Sequence, residues 1–394
     1  MIIIHNLVLK GADMSLNQVS TFNLWRGIKE MRRKLFEVLT VSVLVTALLA
    51  GCSEKNIEET EAEAAASVAS SVEEKEMTPA DMRVGVCIYK FSDTYMSLFK
   101  DELINDLVKA GFKEENITIV NSALSQGYQM LQLKKLIASG VDILVVNPVN
   151  TSKTAEVTDL AMEAGVPLVY VNREPDAAEE IRWESESMPV TYIGCDARQA
   201  GTFQGKIIMD LGFDNIDKNG DGVLQYIMVK GEKNNADTYF RTRYSIDALK
   251  KAGWNVEKLA EGNGNWDKNV SEYVVTEALK ENPSPEVIIC NNDMMAIGAL
   301  EAVSKAGLVA GEDVYIIGAD AFEGALENIL EGKIVGTVFN NYVEQARLTT
   351  GTILSYMKKQ NVAHFYGSDY VKVTKENAET ILGIIREGDE TEEE

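Results

Sequence analysis

The sequence predicts an α/β protein built as two doubly wound parallel-sheet lobes, and three observations carry that expectation. Apolar runs at 82–89, 117–121, 143–147 and 167–172 alternate with helix-length amphipathic segments at 96–110, 130–138 and 155–164. Further runs at 192–195, 224–230, 287–291 and 315–319 repeat the pattern. Runs that are apolar throughout, instead of at every second residue, belong to strands covered on both faces, and helical crossovers between them impose parallel pairing. About 300 residues of this kind exceed one hydrophobic core, which gives two lobes.

Ahead of this body stands an export signal. Met31-Arg32-Arg33-Lys34 is a basic start, residues 38–50 (VLTVSVLVTALLA) form an apolar stretch, and Leu49-Ala50-Gly51-Cys52 is a small-residue cleavage site ending in cysteine. The apolar stretch is shorter than the ~20 residues a spanning helix needs. L-A-G-C resembles the bacterial lipobox, which implies cleavage before Cys52, a diacylglyceryl group on its sulfur and a membrane-anchored protein on the extracytoplasmic face. Met31 has the form of the natural start, with residues 1–30 as an upstream extension. Residues 53–80 are Ser, Ala and Glu-rich without an aromatic residue, a composition that cannot bury enough apolar surface to order itself and reads as a flexible tether. Residues 387–394 (EGDETEEE) read as a solvated acidic tail.

Composition narrows the partners. The formal charge is −23, and removal of residues 1–51 with their excess of basic groups takes it to −26, so nucleic acid and anionic lipid headgroups are poor partners. Cys87, Cys195 and Cys290 each sit within a strand-like run and are expected as buried thiols, not as a disulfide framework. His364 is the one histidine of the mature chain, placed on a surface stretch, which removes histidine triads and histidine-rich zinc sites.

In an open parallel sheet, ligands gather beyond the carboxyl ends of the strands. The residues at those ends are Asp93 and Tyr95, then Asn172, then Asn235, Asp237 and Arg241, then Asn291, Asn292 and Asp293, then Asp320, then Asn340 and Asn341. Short amides, carboxylates and a guanidinium present paired donors and acceptors, the chemistry that holds vicinal hydroxyls of a neutral polyhydroxyl ligand. Trp266, in a glycine-rich segment, offers a face for the apolar side of a sugar ring. Each has a plainer role open to it: Asp93 and Asp237 as helix caps, Asn172 and Asn292 as turn residues, Trp266 as a core anchor.

One further motif is the nine-residue segment 217–225 (DKNGDGVLQ), the front of an EF-hand calcium loop. Asp217, Asn219, Asp221 and Gln225 supply side-chain oxygens, Gly222 the sharp turn and Val223 a carbonyl, as a hard cation requires. The closing position is Met228, whose thioether is no calcium ligand, and 225–230 reads as a strand. Either the match is a polar turn or the missing carboxylate arrives from elsewhere in the fold, as suits a rigid structural calcium and not a sensor.

These residues resemble the galactose/glucose-binding proteins of bacterial sugar ABC transporters, members of the type I periplasmic-binding-protein family. The resemblance runs from about Arg83 to about Asn377, through R-V-G-V-C-I-Y-K-F-S-D-T-Y-M-S, V-N-R-E-P, the calcium loop followed by K-G-E, N-N-D-M-M-A-I-G-A-L-E-A, I-G-A-D-A and G-T-V-F-N. It implies a hinge of three chain crossings, with 81–193 and 341–367 in the N-terminal lobe and 194–340 and 368–386 in the C-terminal lobe. It implies sugar contacts at Asp93, Asn172, Asp237, Arg241, Asn292, Asp320 and Asn340, with Tyr95 and Trp266 as the stacking pair. Tyr95 stands where the family has phenylalanine, and Asn235 where it has a sugar-contacting histidine. Glu286 stands at the position of the family's remote calcium ligand. The implied activity is capture of galactose or glucose by a monomer and delivery to a permease, without chemistry. A handover to a chemoreceptor or sensor kinase, or another monosaccharide as ligand, shares the same binding step.

An enzyme is the rival class. The chain has no G-x-G-x-x-G after a strand, no P-loop and no G-x-S-x-G. Asp93 and Asp237 could face one cleft as a glycosidase pair, but beside Arg241 both are expected to stay ionised, which leaves no general acid. A DNA-binding repressor of the same fold would carry a helix-turn-helix where this chain has a signal and an acidic tether.

Overall fold

The run Val84–Ile88 is buried at every residue and forms β1, the centre of the first sheet. The computed structural model of the chain describes residues 76–390, with side chains through residue 386. The signal segment, Cys52 and the tether through residue 75 lie outside the described residues. β1 pairs in parallel with β2 (Ile117–Asn121) on one side and β3 (Ile143–Val146) on the other, with Val84 opposite both Ile117 and Ile143. β4 (Leu168–Val171) and β5 (Val190–Gly194) extend the sheet beyond β3. The connecting helices are α1 (Thr94–Lys109), α2 (Gln126–Ala138), α3 (Thr154–Ala164) and α4 (Ala177–Glu186).

After β5 come α5 (Ala197–Asp210), the short α6 (Phe213–Ile216) and β6 (Leu224–Lys230), the centre of a second parallel sheet. β6 is flanked by β7 (Val256–Asn263) and β8 (Val287–Cys290), with β9 (Tyr315–Ile317) outside β8. Its helices are α7 (Ala236–Lys251), α8 (Lys268–Glu281), α9 (Asp293–Lys305) and α10 (Glu323–Leu330). β10 (Thr337–Phe339) ends this run, and α11 (Tyr342–Met357) returns to pack on α1. β11 (Phe365–Gly367) then joins β5 in parallel, and β12 (Val371–Val373) pairs antiparallel with β10. α12 (Ala378–Glu390) follows. The chain thus passes between the two sheets three times, after β5, after β10 and after β11. Each sheet has its own clusters of buried apolar side chains on its two faces.

Three differences from the sequence reading have physical causes. The tether ends before residue 80: Pro79–Asp81 form a 3-10 turn closed by Thr78 Oγ1 donating to Asp81, and Asn116 holds the Ala80 carbonyl. The tail does not begin at 387, because α12 runs on to Glu390. His364 is half-buried, with Nδ1 2.8 Å from the Val190 carbonyl at the sheet edge. The three cysteines are buried and free, as expected.

One close approach places the helix that bears Asp237 and Arg241. Gly201 and Gly205, one turn apart on α5, lie against the backbone of α7. A Cβ on Gly201 would stand 2.7 Å from the Arg241 carbonyl oxygen, and one on Gly205 2.6 Å from Ala248 Cβ. Neither contact leaves room for a methyl group. Gly201→Ala is therefore expected to destabilise the fold by about 1–3 kcal/mol through overpacking, measured by urea denaturation. A change below about 0.5 kcal/mol would show that α5 and α7 separate freely.

Candidate functional site

Each sheet reverses its strand order at its central strand. In the first, β2 and β3 lie on opposite sides of β1; in the second, β7 and β8 lie on opposite sides of β6. A cavity opens beyond the carboxyl ends of these strands, where such sheets bind ligands. It holds about 350 Å³ of atom-free space, part of it open to solvent, and is lined by residues following strands of both sheets. All ten residues predicted as sugar contacts line it: Asp93, Tyr95, Asn172, Asn235, Asp237, Arg241, Trp266, Asn292, Asp320 and Asn340. Tyr89 and Arg173 line it as well and were missed.

Three helices begin at the cavity, and their caps are cavity residues. Asp93 Oδ1 accepts from Met96 N at 2.9 Å while Oδ2 accepts from the Tyr89 hydroxyl at 2.5 Å. Asn235 caps α7 through Thr238 N, and Asn292 caps α9 through Met295 N, each at 3.0 Å. The plainer capping role thus holds for Asp93 alongside its place at the cavity, whereas Asp237 lies in the first turn of a helix that Asn235 caps. With one atom of each side chain fixed by a cap, the remaining polar atoms are held in place facing the cavity wall.

Arg241 is the most constrained group. It is 2% exposed. Nη1 donates to the Asn291 carbonyl at 2.8 Å and lies 3.0 Å from Asp320 Oδ1, and Nη2 donates to the Tyr370 hydroxyl at 3.0 Å. Asn340 Nδ2 donates to the same Asp320 oxygen. The direct charge partner of Arg241 is Asp320, and not Asp237, the carboxylate four residues before it. Burial raises the Asp237 pKa, and Arg241 and Arg173 only oppose that rise. Asp320 is likewise raised by burial and lowered by Arg241. Two buried atoms of cavity residues, Tyr95 Oη and Arg241 Nε, have no hydrogen-bond partner within the protein.

Asn291, Asp293 and Asn341 prove structural. Asn291 Oδ1 accepts from Gly231 N and Thr242 Oγ1. Asp293 is fully buried and accepts from Thr337 Oγ1 and Phe322 N. Asn341 caps α11. Trp266 serves partly as the anchor considered for it, since it packs against the core of the second sheet and its ring fills the space a Gly231 side chain would need. Its ring also lies 5.9 Å from the Arg241 guanidinium. Arg173 stacks on the Tyr89 ring at 3.4 Å. The signal that could have revealed Arg173 was its place directly after Asn172, at the end of an apolar strand. Cys195, beside Asn340 and Gln345, is a neutral thiol with its pKa pushed up to about 12 by burial.

In the 217–225 loop, Asp217 accepts from the backbone of Gly220, Asp221 and Gly222. Glu286 reaches across from the start of β8 and accepts from Lys218 N and Gln225 N, each at 2.8 Å. Burial raises its pKa, the two backbone donors lower it, and Asp217 and Asp221 raise it further. Asp221 Oδ2 and Gln225 Oε1 converge on one donor, the Asn219 amide nitrogen, at 3.0 and 3.3 Å. Among the described residues, no three His, Cys, Asp or Glu side chains gather tightly enough to hold a metal by themselves. A cation here would depend on the Asn219 and Gln225 amides and the Val223 carbonyl as well as the carboxylates. That mixed oxygen set fits calcium.

Comparison with known proteins places the chain. Residues 84–361 match the model of the periplasmic binding protein domain. The chain belongs to the periplasmic binding protein family, whose members bind solutes. It is 34% identical over 273 residues to the D-galactose/methyl-galactoside binding periplasmic protein MglB of Haemophilus influenzae, covering 68% of this chain and 79% of that one. It is 29% identical to a putative rhizopine-binding protein of Rhizobium meliloti, covering 76% and 92%. Among solved structures, an ABC transporter solute binding protein from Bacillus halodurans with bound myo-inositol superposes with a TM-score of 0.67 at 22% identity, over 77% of this chain and 97% of that one. One from Actinobacillus succinogenes with bound D-allose gives 0.67 at 22%, over 76% and 99%. At this identity the two structures speak to the fold alone.

Proposed function

We propose that the chain is an extracytoplasmic binding protein that captures a hexose, galactose or glucose, in the cavity and delivers it to an ABC sugar permease. The observation that carries this reading is a cavity lined by polar side chains in which the buried atoms Tyr95 Oη and Arg241 Nε lack partners. A buried donor without an acceptor costs about 1–3 kcal/mol, and ligand hydroxyls would supply the missing acceptors. Asp93, Asp237, Asp320 and the three asparagines beyond Asn235 would take the remaining hydroxyls, with the Tyr95 and Trp266 rings as apolar surfaces. Asn235 has its oxygen in a cap, so its amide nitrogen is the atom left to donate. Similarity to the galactose-binding relative favours galactose, and other relatives and neighbours make allose, ribose and myo-inositol the proper competitors. No step of the reading makes or breaks a covalent bond.

We also infer a structural calcium ion held by Asp217, Asn219, Asp221, Gln225, the Val223 carbonyl and Glu286. Repulsion of Glu286 by Asp217 and Asp221, and the convergence of Asp221 Oδ2 and Gln225 Oε1 on the Asn219 amide, support it. Such an ion would tie the loop before β6 to the start of β8. A diacylglyceryl anchor on Cys52 rests on the lipobox and the apolar stretch alone.

Calorimetric titration with galactose, glucose, allose, ribose and myo-inositol tests the ligand. Asp237→Ala and Trp266→Ala are each expected to weaken hexose binding at least about tenfold, roughly 1.4 kcal/mol. Sugar is expected to change tryptophan fluorescence, and Trp266→Phe to abolish the change. Unaltered affinity in both alanine variants would remove the sugar from this cavity.

For the metal, chelator is expected to lower the melting temperature, since an ion bound only to the native state stabilises by about 4 kcal/mol at a thousandfold excess over Kd. Glu286→Gln is expected to melt lower and to lose the response to chelator. A wild-type melt indifferent to chelator would leave the loop a turn.

Cys52→Ser is expected to move the protein from the membrane fraction to the soluble one, because a diacyl group anchors firmly. Equal membrane retention of the variant would exclude the anchor.

A further inference from the structure

The loop after β4 carries adjacent charges of opposite sign, Arg173 and Glu174, and each pairs with a residue associated with the second sheet. Arg173 Nη2 lies 2.9 Å from Glu232 Oε2, beyond the end of β6, and Glu174 Oε1 lies 3.2 Å from Arg198 Nη2 on α5. The two pairs differ in setting. Arg173 and Glu232 side chains are 5% and 20% exposed, against 20% and 35% for Glu174 and Arg198. Arg173 is further braced by the Tyr89 ring and by donation to the Val149 carbonyl. Arg198 is stacked as well, 4.5 Å from the Phe240 ring, so the pairs differ in the desolvation of the guanidinium, and a guanidinium shut off from water depends on its carboxylate more than a solvated one does.

The inner pair also stands at a boundary. Arg173 lines the cavity already described, whereas Glu232 lines a second, outer recess together with Lys90, Asn150, Lys233, Asn234 and Asn265. Neighbours in sequence face opposite sides of this boundary: Tyr89, Asn235 and Trp266 line the inner cavity, and Lys90, Asn234 and Asn265 the outer recess.

We propose that Arg173 and Glu232 form a latch between the lobes that closes the inner cavity against the outer recess and sets how long a captured ligand stays. Glu232 touches no ligand in this scheme; it is a positioning residue that acts through Arg173. The proposal rests on the reading of the cavity as a sugar site for its kinetic consequence, whereas the Arg173–Glu232 contact is made by residues of the chain alone. Release requires the lobes to part, so breaking the pair speeds opening and leaves encounter with the open cleft unaffected.

The test uses Glu232→Gln, which keeps size and removes charge, with Glu174→Gln, whose guanidinium partner is the more exposed one, as the control. In stopped-flow fluorescence with galactose, Glu232→Gln is expected to raise the dissociation rate at least tenfold with the association rate within about twofold. Glu174→Gln is expected to change dissociation less than twofold. Hydrogen exchange of the ligand-free protein provides the second readout: segments at 235–241 and 319–322 are expected to exchange faster in Glu232→Gln, with β1 and β3 unchanged. If the wild type binds none of the sugars, the sugar reading fails while hydrogen exchange still decides the latch. Unchanged exchange in those segments, or an unchanged dissociation rate where galactose binds, overturns it.

Discussion

Arg241 carries a positive charge into a place that solvent scarcely reaches, and the second half of the cleft is arranged around that constraint. Its partners come from separate parts of the chain: the Asn291 carbonyl after β8, Asp320 after β9 and the Tyr370 hydroxyl just before β12. An isolated charge there would cost several kcal/mol, so loss of any one partner strands the guanidinium. Buried ion pairs of this sort are poor sources of net stability compared with apolar packing. Their presence at the mouth of two sheets is better explained by what they hold ready, a fixed array of donors and acceptors, than by what they add to folding.

The same array required backbone conformations that most side chains avoid. Asn172, Asn234, Asn265, Trp266 and Asp320, which line the cavity or its outer recess, all have positive φ, as does Ala321 next to Asp320. Asparagine and aspartate tolerate the left-handed region; tryptophan and alanine do so at an energetic cost. Strain gathered at the carboxyl ends of the strands, and not in the sheets, is the pattern expected where the backbone must turn sharply to aim a side chain.

The strands legible in the sequence were those buried on both faces. β6 was bounded as it stands and β1, β3, β4 and β8 within two residues at either end, because a strand covered on both faces is apolar throughout, whereas β2, bounded as it stands too, is a partly exposed edge strand that shows itself by its β-branched residues. β7 was not legible: its sequence VEKLAEGN alternates charged and small residues, and in the structure it is a half-exposed edge strand. β10, β11 and β12 have three residues each, too short for periodicity to register, and exist because the chain crosses between sheets there. At the site, short polar residues after strands were visible as a class. What could not be seen was which of them spend their atoms on the fold: Asn291 and Asp293 look like Asn292 in sequence, yet their side chains are consumed by Gly231, Thr242, Thr337 and Phe322. Arg173 had only its place after Asn172 to mark it, since its partner Glu232 lies in the loop beyond β6 and no local spacing relates them.

Charge bears on the class of ligand as much as shape does. The cavity is lined by three carboxylates, Asp93, Asp237 and Asp320, against two guanidiniums, Arg173 and Arg241. Asp320 balances the charge of Arg241 and Glu232 that of Arg173, so neither guanidinium brings uncompensated positive charge to the cavity. The body around the cavity is strongly acidic as well. A sugar acid or phosphate would therefore enter against the field and find its only cations already neutralised, whereas a neutral polyhydroxyl ligand meets acceptors on the carboxylates and donors on the amides without adding charge to a desolvated space. A neutral polyhydroxyl ligand, as opposed to an anionic one, follows from that asymmetry before any hydroxyl is assigned to a particular residue.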